Sequence, residues 1–570
     1  MKKHVAIVFF LFLIASLLRF PKLSTVPNGM QWDEMGYAYN AYSIIETGKD
    51  EWGRSFPLFL KSFGDVKPAL LSYLIIPSFK IFGVNEFAAR FPTALLGVLS
   101  VIAFYGINYL LSKNKKLSFV GAIILAITPW HIHYSKIAFD PMISLSFLLI
   151  GLFLFIAENK LHKFSGAIFL FLSMYTYNAA RFFVPLIVLA YIIIFKKNNY
   201  KKFIKSSLIP LSTLAIGFVI IAGLTFFSTA GSRAKAVFFW DPVQVKTEVE
   251  EGIYRDVVLD KPFIRLFNNK PIYLTYKLIR NYTNHFSYDY LFANTWQTPA
   301  FAFSKHGHLL LIFLPLILIG VFSSKKDNLN KFYLFWLLVS PIASTLTKGD
   351  PNANRSLIMV PAIAFFVAQG VFAFSNFGKK KITKRILFSL ILIIIGFNTI
   401  LYVHDYSNFF PEDSAPYSHS FYKKASREIY AQKDQFSKIY FTNTDAQPYI
   451  FIAWYNLMDP TIVQKNTENR DIEYLGGVRE LDNFRFIGVK RNNLPCLLLE
   501  KNVLVVASSI DGPYFANKVA GYDNVEILPK ESYYHADRFH PEKTALELYD
   551  SKELSSLENE YLNYLCSLNK

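Results

Sequence analysis

The chain has 570 residues, 52% hydrophobic and 17% aromatic, with a mean hydropathy of +0.27 and a formal net charge of +18. The apolar residues are blocked into long runs between short charged clusters, not dispersed at a period of 2 or 3.6, and this excludes a soluble globular protein. The Lys and Arg sit in those clusters and not on one soluble face, so nucleic acid is excluded as the meaning of the positive charge.

The first element is MKKHVAIVFFLFLIASLLRF, which has the charge and apolar core of a signal peptide but no small-x-small cleavage site after it. It reads as an uncleaved first span at 4–20. Apolar runs predict further spans at 88–111, 117–132, 141–157, 163–178, 182–196, 206–227, 307–323, 331–347, 356–375 and 385–403. The run at 68–83 is read as lying near the membrane interface, because counting it as a span would invert everything after it. With about eleven spans, the clusters Lys2-Lys3, Lys113 to Lys116, Lys160 to Lys163, Lys196 to Lys205, Lys325 to Lys331 and Lys379 to Arg385 all fall on one side. The positive-inside rule makes that side cytoplasmic and leaves 21–87, 228–306 and the tail from about 404 outside.

The expected fold is therefore an all-α polytopic membrane bundle over 1–403, including the outer loops 21–87 and 228–306, followed by a small extracytoplasmic α/β domain at 404–570. The tail alternates short apolar runs (Lys438 to Phe441, Val503 to Ser508) with helix-like stretches such as AQPYIFIAWYNL. Cys496 and Cys566 both lie in it, and spacing alone leaves open whether they pair.

The first outer loop holds the most chemistry. Asp33 either caps a helix running from Glu34 to about Thr47, with Gly48 ending it, or belongs with Glu34 to a carboxylate pair that takes a proton from an acceptor hydroxyl. Lys67, just before the interfacial run, either meets a lipid phosphate or snorkels to the headgroups. His131 and His133 with Asp140 nearby are either divalent-metal ligands or a polar turn between helices. Asp140-Pro141 opens a span, where a carboxylate is costly unless paired or hydrated. Arg181 and Arg355 fall on the outer side, and a guanidinium fork suits a phosphate. Gly-rich phosphate loops, GxSxG and HExxH are all missing, so a nucleotide-driven mechanism has no support.

In chain order stand an apolar first span, the Asp33-Glu34 pair, Lys67-Pro68 before an interfacial run, FGVNEFAARFP at Phe82 to Pro92, and Asp140-Pro141. This series resembles the GT-C membrane glycosyltransferases, in particular the branch of the protein O-mannosyltransferases and the lipid A aminoarabinose transferase. The resemblance covers about the first 200 residues, and RSLIMVP more loosely. It implies inverting transfer of a sugar from a polyprenyl-phosphate carrier, on the extracytoplasmic face, to a lipid, glycan or protein hydroxyl of the cell envelope. By the same resemblance Asp33 is the base with Glu34 beside it, and Asp65 and Asp140 shape the acceptor and donor sites. Lys67, Lys136, Arg181 and Arg355 then neutralise the leaving phosphate. A divalent metal is left open. The competing reading, a lipid or lipid-linked-sugar flippase without transfer chemistry, predicts charges deep within spans and an inverted repeat, and the sequence has neither.

Overall fold

Each apolar run read as a span contains a helix in the computed structural model. The structure describes residues 2–63, 65–227, 239–293, 305–323, 327–348, 351–415, 417–443, 447–466, 478–489, 493–508, 531–534 and 544–568. The N-terminal half runs α1 (Lys2–Arg19), α2 (Trp32–Thr47), β1 (Phe59–Ser62), β2 (Asp65–Pro68), α3 (Leu70–Phe82), α4 (Glu86–Ser112), α5 (Lys115–Ile127), α6 (Pro129–Ser135), α7 (Asp140–Ile156), α8 (Lys160–Thr176), α9 (Asn178–Phe195), α10 (Tyr200–Ser206) and α11 (Leu208–Phe227).

By length and composition α4, α9, Ala353–Ser375 and Lys381–Asn408 are each able to cross a membrane, and two bent pairs raise the number to six among the described residues. Other expected spans correspond to helices of 10 to 18 residues, namely α1, α7, α8, Phe313–Phe322 and Asn328–Val339. Those fall short of the roughly 20 residues of a straight span. α3, at 13 residues, is about 20 Å long and cannot cross a core of about 30 Å. The span expected at 117–132 is broken. Thr128 is extended ahead of Pro129, as a residue before proline tends to be, and α6 leaves α5 at 60°.

The chain forms two compact units, Met1–Pro21 with Phe91–Ser407 and Lys22–Arg90 with Asn408–Lys570. The first outer loop, expected to group with the helices, thus folds with the tail instead. Hydrogen bonds between the two stretches explain this: Tyr39 donates to the Met458 carbonyl (2.9 Å), Tyr449 to Glu51 (3.1 Å), and Gln464 to Ser43 (3.1 Å) and Thr47 (3.0 Å).

The helical unit is held by close backbone approaches. A Cβ on Gly166 would lie 2.5 Å from the Phe155 nitrogen, and one on Gly370 2.0 Å from the Leu316 carbonyl, so glycine sets the α7–α8 crossing and that between Phe313–Phe322 and Val360–Ser375. In the other unit, β3 (Lys438–Thr442), β4 (Glu480–Leu481), β5 (Phe484–Ile487), β6 (Val503–Ser508), β7 (Glu531–Tyr534) and β8 (Thr544–Asp550) form a mixed sheet in the order β4-β5-β3-β6-β8-β7. β3 lies parallel to both β5 and β6, and every residue of β6 is buried, as central parallel strands require. A disulfide joins Cys496 to Cys566 and so ties helix Leu494–Leu498 to helix Ser556–Leu568.

Candidate active site

The carboxylates of the first loop sit on α2, and the helix cap decides what each is able to do. Gln31, not Asp33, is the N-cap, and its backbone N–H donates to Glu34 Oε2 (3.2 Å). Gly48 closes the helix at φ 71°, as expected, with its N–H on the Ile44 carbonyl (3.0 Å). Asp33 therefore lies in the first turn with its side chain released from capping duty. That carboxylate forms an ion pair with Lys67.

Lys67 is delivered by the β1–β2 hairpin, where it stands opposite Leu60. Its ammonium lies 5.0 Å from the Phe63 ring centre and 5.7 Å from that of Tyr37, a cation–π setting that shields one side of the charge. The Lys67 side chain is 8% exposed and that of Asp33 26%. The pair is thus half open: the ammonium is fixed while the carboxylate remains reachable. Asp65 lies on the same strand as Lys67, but its side chain is outside the described residues.

Glu34 is used differently. Arg90 Nε donates to its Oε1 (2.9 Å) and Arg90 Nη2 to its Oε2 (3.1 Å), and both side chains are buried. Arg90 also donates to the carbonyls of Leu23 (3.1 Å), Pro27 (3.0 Å) and Gly29 (2.5 Å), so all five of its N–H groups are satisfied. The loop ahead of α2 is thereby pinned to the helix that carries Asp33. Sequence reasoning quoted Arg90 within FGVNEFAARFP without assigning it a role. The signal was there, an arginine on the outer side fixed by a motif, but its partner lies 56 residues away. Glu51 was missed as well; it is buried and accepts from Asn40 (3.2 Å), Ser62 (3.0 Å) and Tyr449 (3.1 Å).

In the helical unit Asp140 opens α7 as expected and is 9% exposed. Lys136 is buried, donates to the Pro21 carbonyl (2.7 Å) and lies 5.7 Å from the Tyr406 ring centre. Tyr134 hydrogen-bonds Asn354, which brings the Lys136 segment beside Arg355, and α9 carrying Arg181 packs against helix Ala353–Ser356. Arg355 donates to Thr347 Oγ1 (2.7 Å) and Arg181 to the Met174 carbonyl (3.2 Å).

The two histidine rings are engaged with neighbouring side chains. Arg19 donates to His131 Nδ1 (2.7 Å), and His131 Nε2 lies 3.0 Å from Ser100 Oγ, so both ring nitrogens are engaged and a guanidinium stands beside them. His133 Nδ1 shares a hydrogen bond with the Tyr406 hydroxyl (2.9 Å). Among the described residues no three His, Cys, Asp or Glu side chains gather in a metal-binding group.

Comparison with known proteins bears on the family and the fold. Residues 66–226 match the family of dolichyl-phosphate-mannose-protein mannosyltransferases. No curated protein matches the chain. Among solved structures, the oligosaccharyltransferase AglB of Archaeoglobus fulgidus with an inhibitory peptide and a dolichol-phosphate superposes with a TM-score of 0.50 at 14% identity, covering 89% of this chain and 69% of that one. The Archaeoglobus fulgidus oligosaccharyltransferase tethered to an acceptor peptide gives 0.51 at 13%, with the same coverage. ArnT from Cupriavidus metallidurans bound to undecaprenyl phosphate gives 0.47 at 8%, covering 98% of each chain. The chain has the fold of the GT-C membrane glycosyltransferases and carries, over 66–226, the match to the mannosyltransferase family.

Proposed function

We propose that this protein is a membrane glycosyltransferase that moves a sugar from a polyprenyl-phosphate carrier to a hydroxyl of a cell-envelope lipid, glycan or protein on the extracytoplasmic face. The observation that carries the proposal is the half-open Asp33–Lys67 pair. Asp33 takes the acceptor's hydroxyl proton while that oxygen bonds to the anomeric carbon. The bond from that carbon to the phosphate oxygen breaks, and the leaving polyprenyl phosphate gains the charge that Lys67 is set to meet. The family resemblance assigns the binding of the carrier phosphate also to Lys136, Arg181 and Arg355, and the shaping of the acceptor and donor sides to Asp65 and Asp140. Glu34 is a positioning residue, since Arg90 holds both its oxygens.

Two observations fit the expected topology. Lys22–Arg90 and Asn408–Lys570 share one unit, which fits the even number of spans, ten, expected between them and so a common side for both. A disulfide in the same unit suits an oxidising compartment. Proteins of the matched fold bound to dolichol-phosphate or to an acceptor peptide support the classes of donor and acceptor.

The test offers radiolabelled polyprenyl-phosphate sugars to the purified full chain with membrane extract as acceptor. Wild type transfers label, and Asp33→Asn lowers the rate about 100-fold or more, the usual size of a lost general base. Equal transfer by both removes Asp33 from the mechanism. Lipid crossing the bilayer with no donor consumed assigns the protein to transport instead.

A further inference from the structure

The helical unit contains a cavity of about 960 Å³ that takes no part in the proposed transfer. It lies at the end of the helices where the basic clusters gather, between the α4–α5 junction, the end of α9, Ser323 and Asp327 at the facing ends of Phe313–Phe322 and Asn328–Val339, and the last turns of Val360–Ser375. α5 begins there, and the chain reaches Lys136 only after α5 and α6, so the cavity and the Lys136 cluster occupy opposite ends of these helices.

Its lining is unusual for a space between apolar helices. Asn114, Asn328, Asn330, Gln369 and Asn376 contribute five carboxamides, each with both donors and acceptors. Asp327 is the acid of the lining, and it is spent as an N-cap accepting from the Asn330 N–H (2.9 Å). Gln369 Nε2 donates to Asn330 Oδ1 (3.2 Å), which ties two walls together. One cation touches the lining, since the exposed Lys384 donates from Nζ to Asn376 Oδ1 (3.2 Å), and Lys113, Lys115 and Lys116, all exposed, adjoin the lining residue Asn114 in the chain. The remaining walls, Leu111, Leu117, Phe195 and Phe372, are apolar.

We propose that this cavity binds the headgroup of an acidic glycerophospholipid bearing free hydroxyls, of the phosphatidylglycerol kind. Lysine ammoniums and carboxamide N–H groups take the phosphate oxygens, and the apolar wall leads toward the acyl chains. The carboxamide oxygens of Asn328 and Gln369 take the headgroup hydroxyls, since that of Asn114 caps α5 and those of Asn330 and Asn376 accept from Gln369 and Lys384. Basic pockets between membrane helices on the lysine-rich side are suited to anionic headgroups. A choline headgroup would instead place a quaternary ammonium among lysines with no hydroxyl to match the carboxamide acceptors.

Native mass spectrometry of the full chain, released from micelles doped with phosphatidylglycerol or phosphatidylcholine, tests the assignment without reading transfer activity. Wild type retains phosphatidylglycerol at least tenfold over phosphatidylcholine. Gln369→Glu, nearly the same shape but anionic, lowers that retention about tenfold. Should that variant fail to fold, Lys113→Gln/Lys116→Gln/Lys384→Gln on the surface carries the test, with the same loss expected. Equal retention of both lipids overturns the proposal, as does full retention by the variants. Displacement by glycerol phosphate at equal concentration overturns it in favour of a soluble phosphate.

Discussion

Asp33 and Glu34 are neighbours in sequence and part company because of one backbone choice. With Gln31 as the cap, α2 turns Glu34 into the buried guanidinium of Arg90 and leaves Asp33 for Lys67. Lysine offers a single point charge where Arg90 uses all five donors, so Arg90→Lys leaves Glu34 and three carbonyls underserved. Breaking a buried pair costs about 3 kcal/mol or more, and Arg90→Lys is expected to lower the melting temperature and transfer together, whereas Asp33→Asn lowers transfer alone. His285 gives a pH signature. Burial lowers its pKa to about 4, and its Nδ1 is bound to the Asn281 carbonyl (2.7 Å). Between about 6.5 and 4 the unfolded chain holds the proton and the folded one does not, so stability is complete above 6.5 and falls as the pH drops through that window. The loss is about 3 kcal/mol by pH 4, and thermal melts at pH 7.5 and 4.5 should show it in wild type and much less in His285→Phe. A melting temperature equally acid-sensitive in both would assign the effect elsewhere.

At the scale of elements, helices were legible because an apolar run is a local property, and runs from 4–20 through 385–403 each hold one. What the runs did not disclose was continuity. The span expected at 117–132 divides at Thr128, although Pro129 was in plain view as a helix-starting residue. The break matters, since α6 is buried along its whole length and carries His131, His133 and Tyr134 into their networks. Helix crossings depend on glycines whose purpose appears only with the neighbouring helix in place. Gly370→Val would drive a side chain into the Leu316 carbonyl, and backbone cannot yield cheaply. A loss of about 3 kcal/mol or outright misfolding is expected, read as a melting-temperature drop that Gly396→Val, at an open position, does not share.

On the scale of the whole molecule, the first outer loop and the tail form one folding unit although more than 300 residues of chain separate Arg90 from Asn408. The disulfide lies within that unit and closes a separation of 70 residues, for which the chain-entropy account gives about 4 kcal/mol. In intact cells, a membrane-impermeant thiol reagent should label Cys496 and Cys566 only after external reduction. Labelling that requires permeabilised membranes would place the unit on the cytoplasmic side and remove the proposed site with it.

Residue order by itself determined the membrane class, the positions of the helices, the helical start at Asp140 and the acidic and basic side chains worth watching, because each of these depends on a few adjacent residues. Only the tertiary structure decided that Gln31 caps α2, that Asp33 takes Lys67 while Glu34 takes Arg90, that His131 is committed to Arg19, and that Cys496 meets Cys566. Those pairings link positions 34 to 112 residues apart, and such a partner is chosen by packing, which no local pattern encodes.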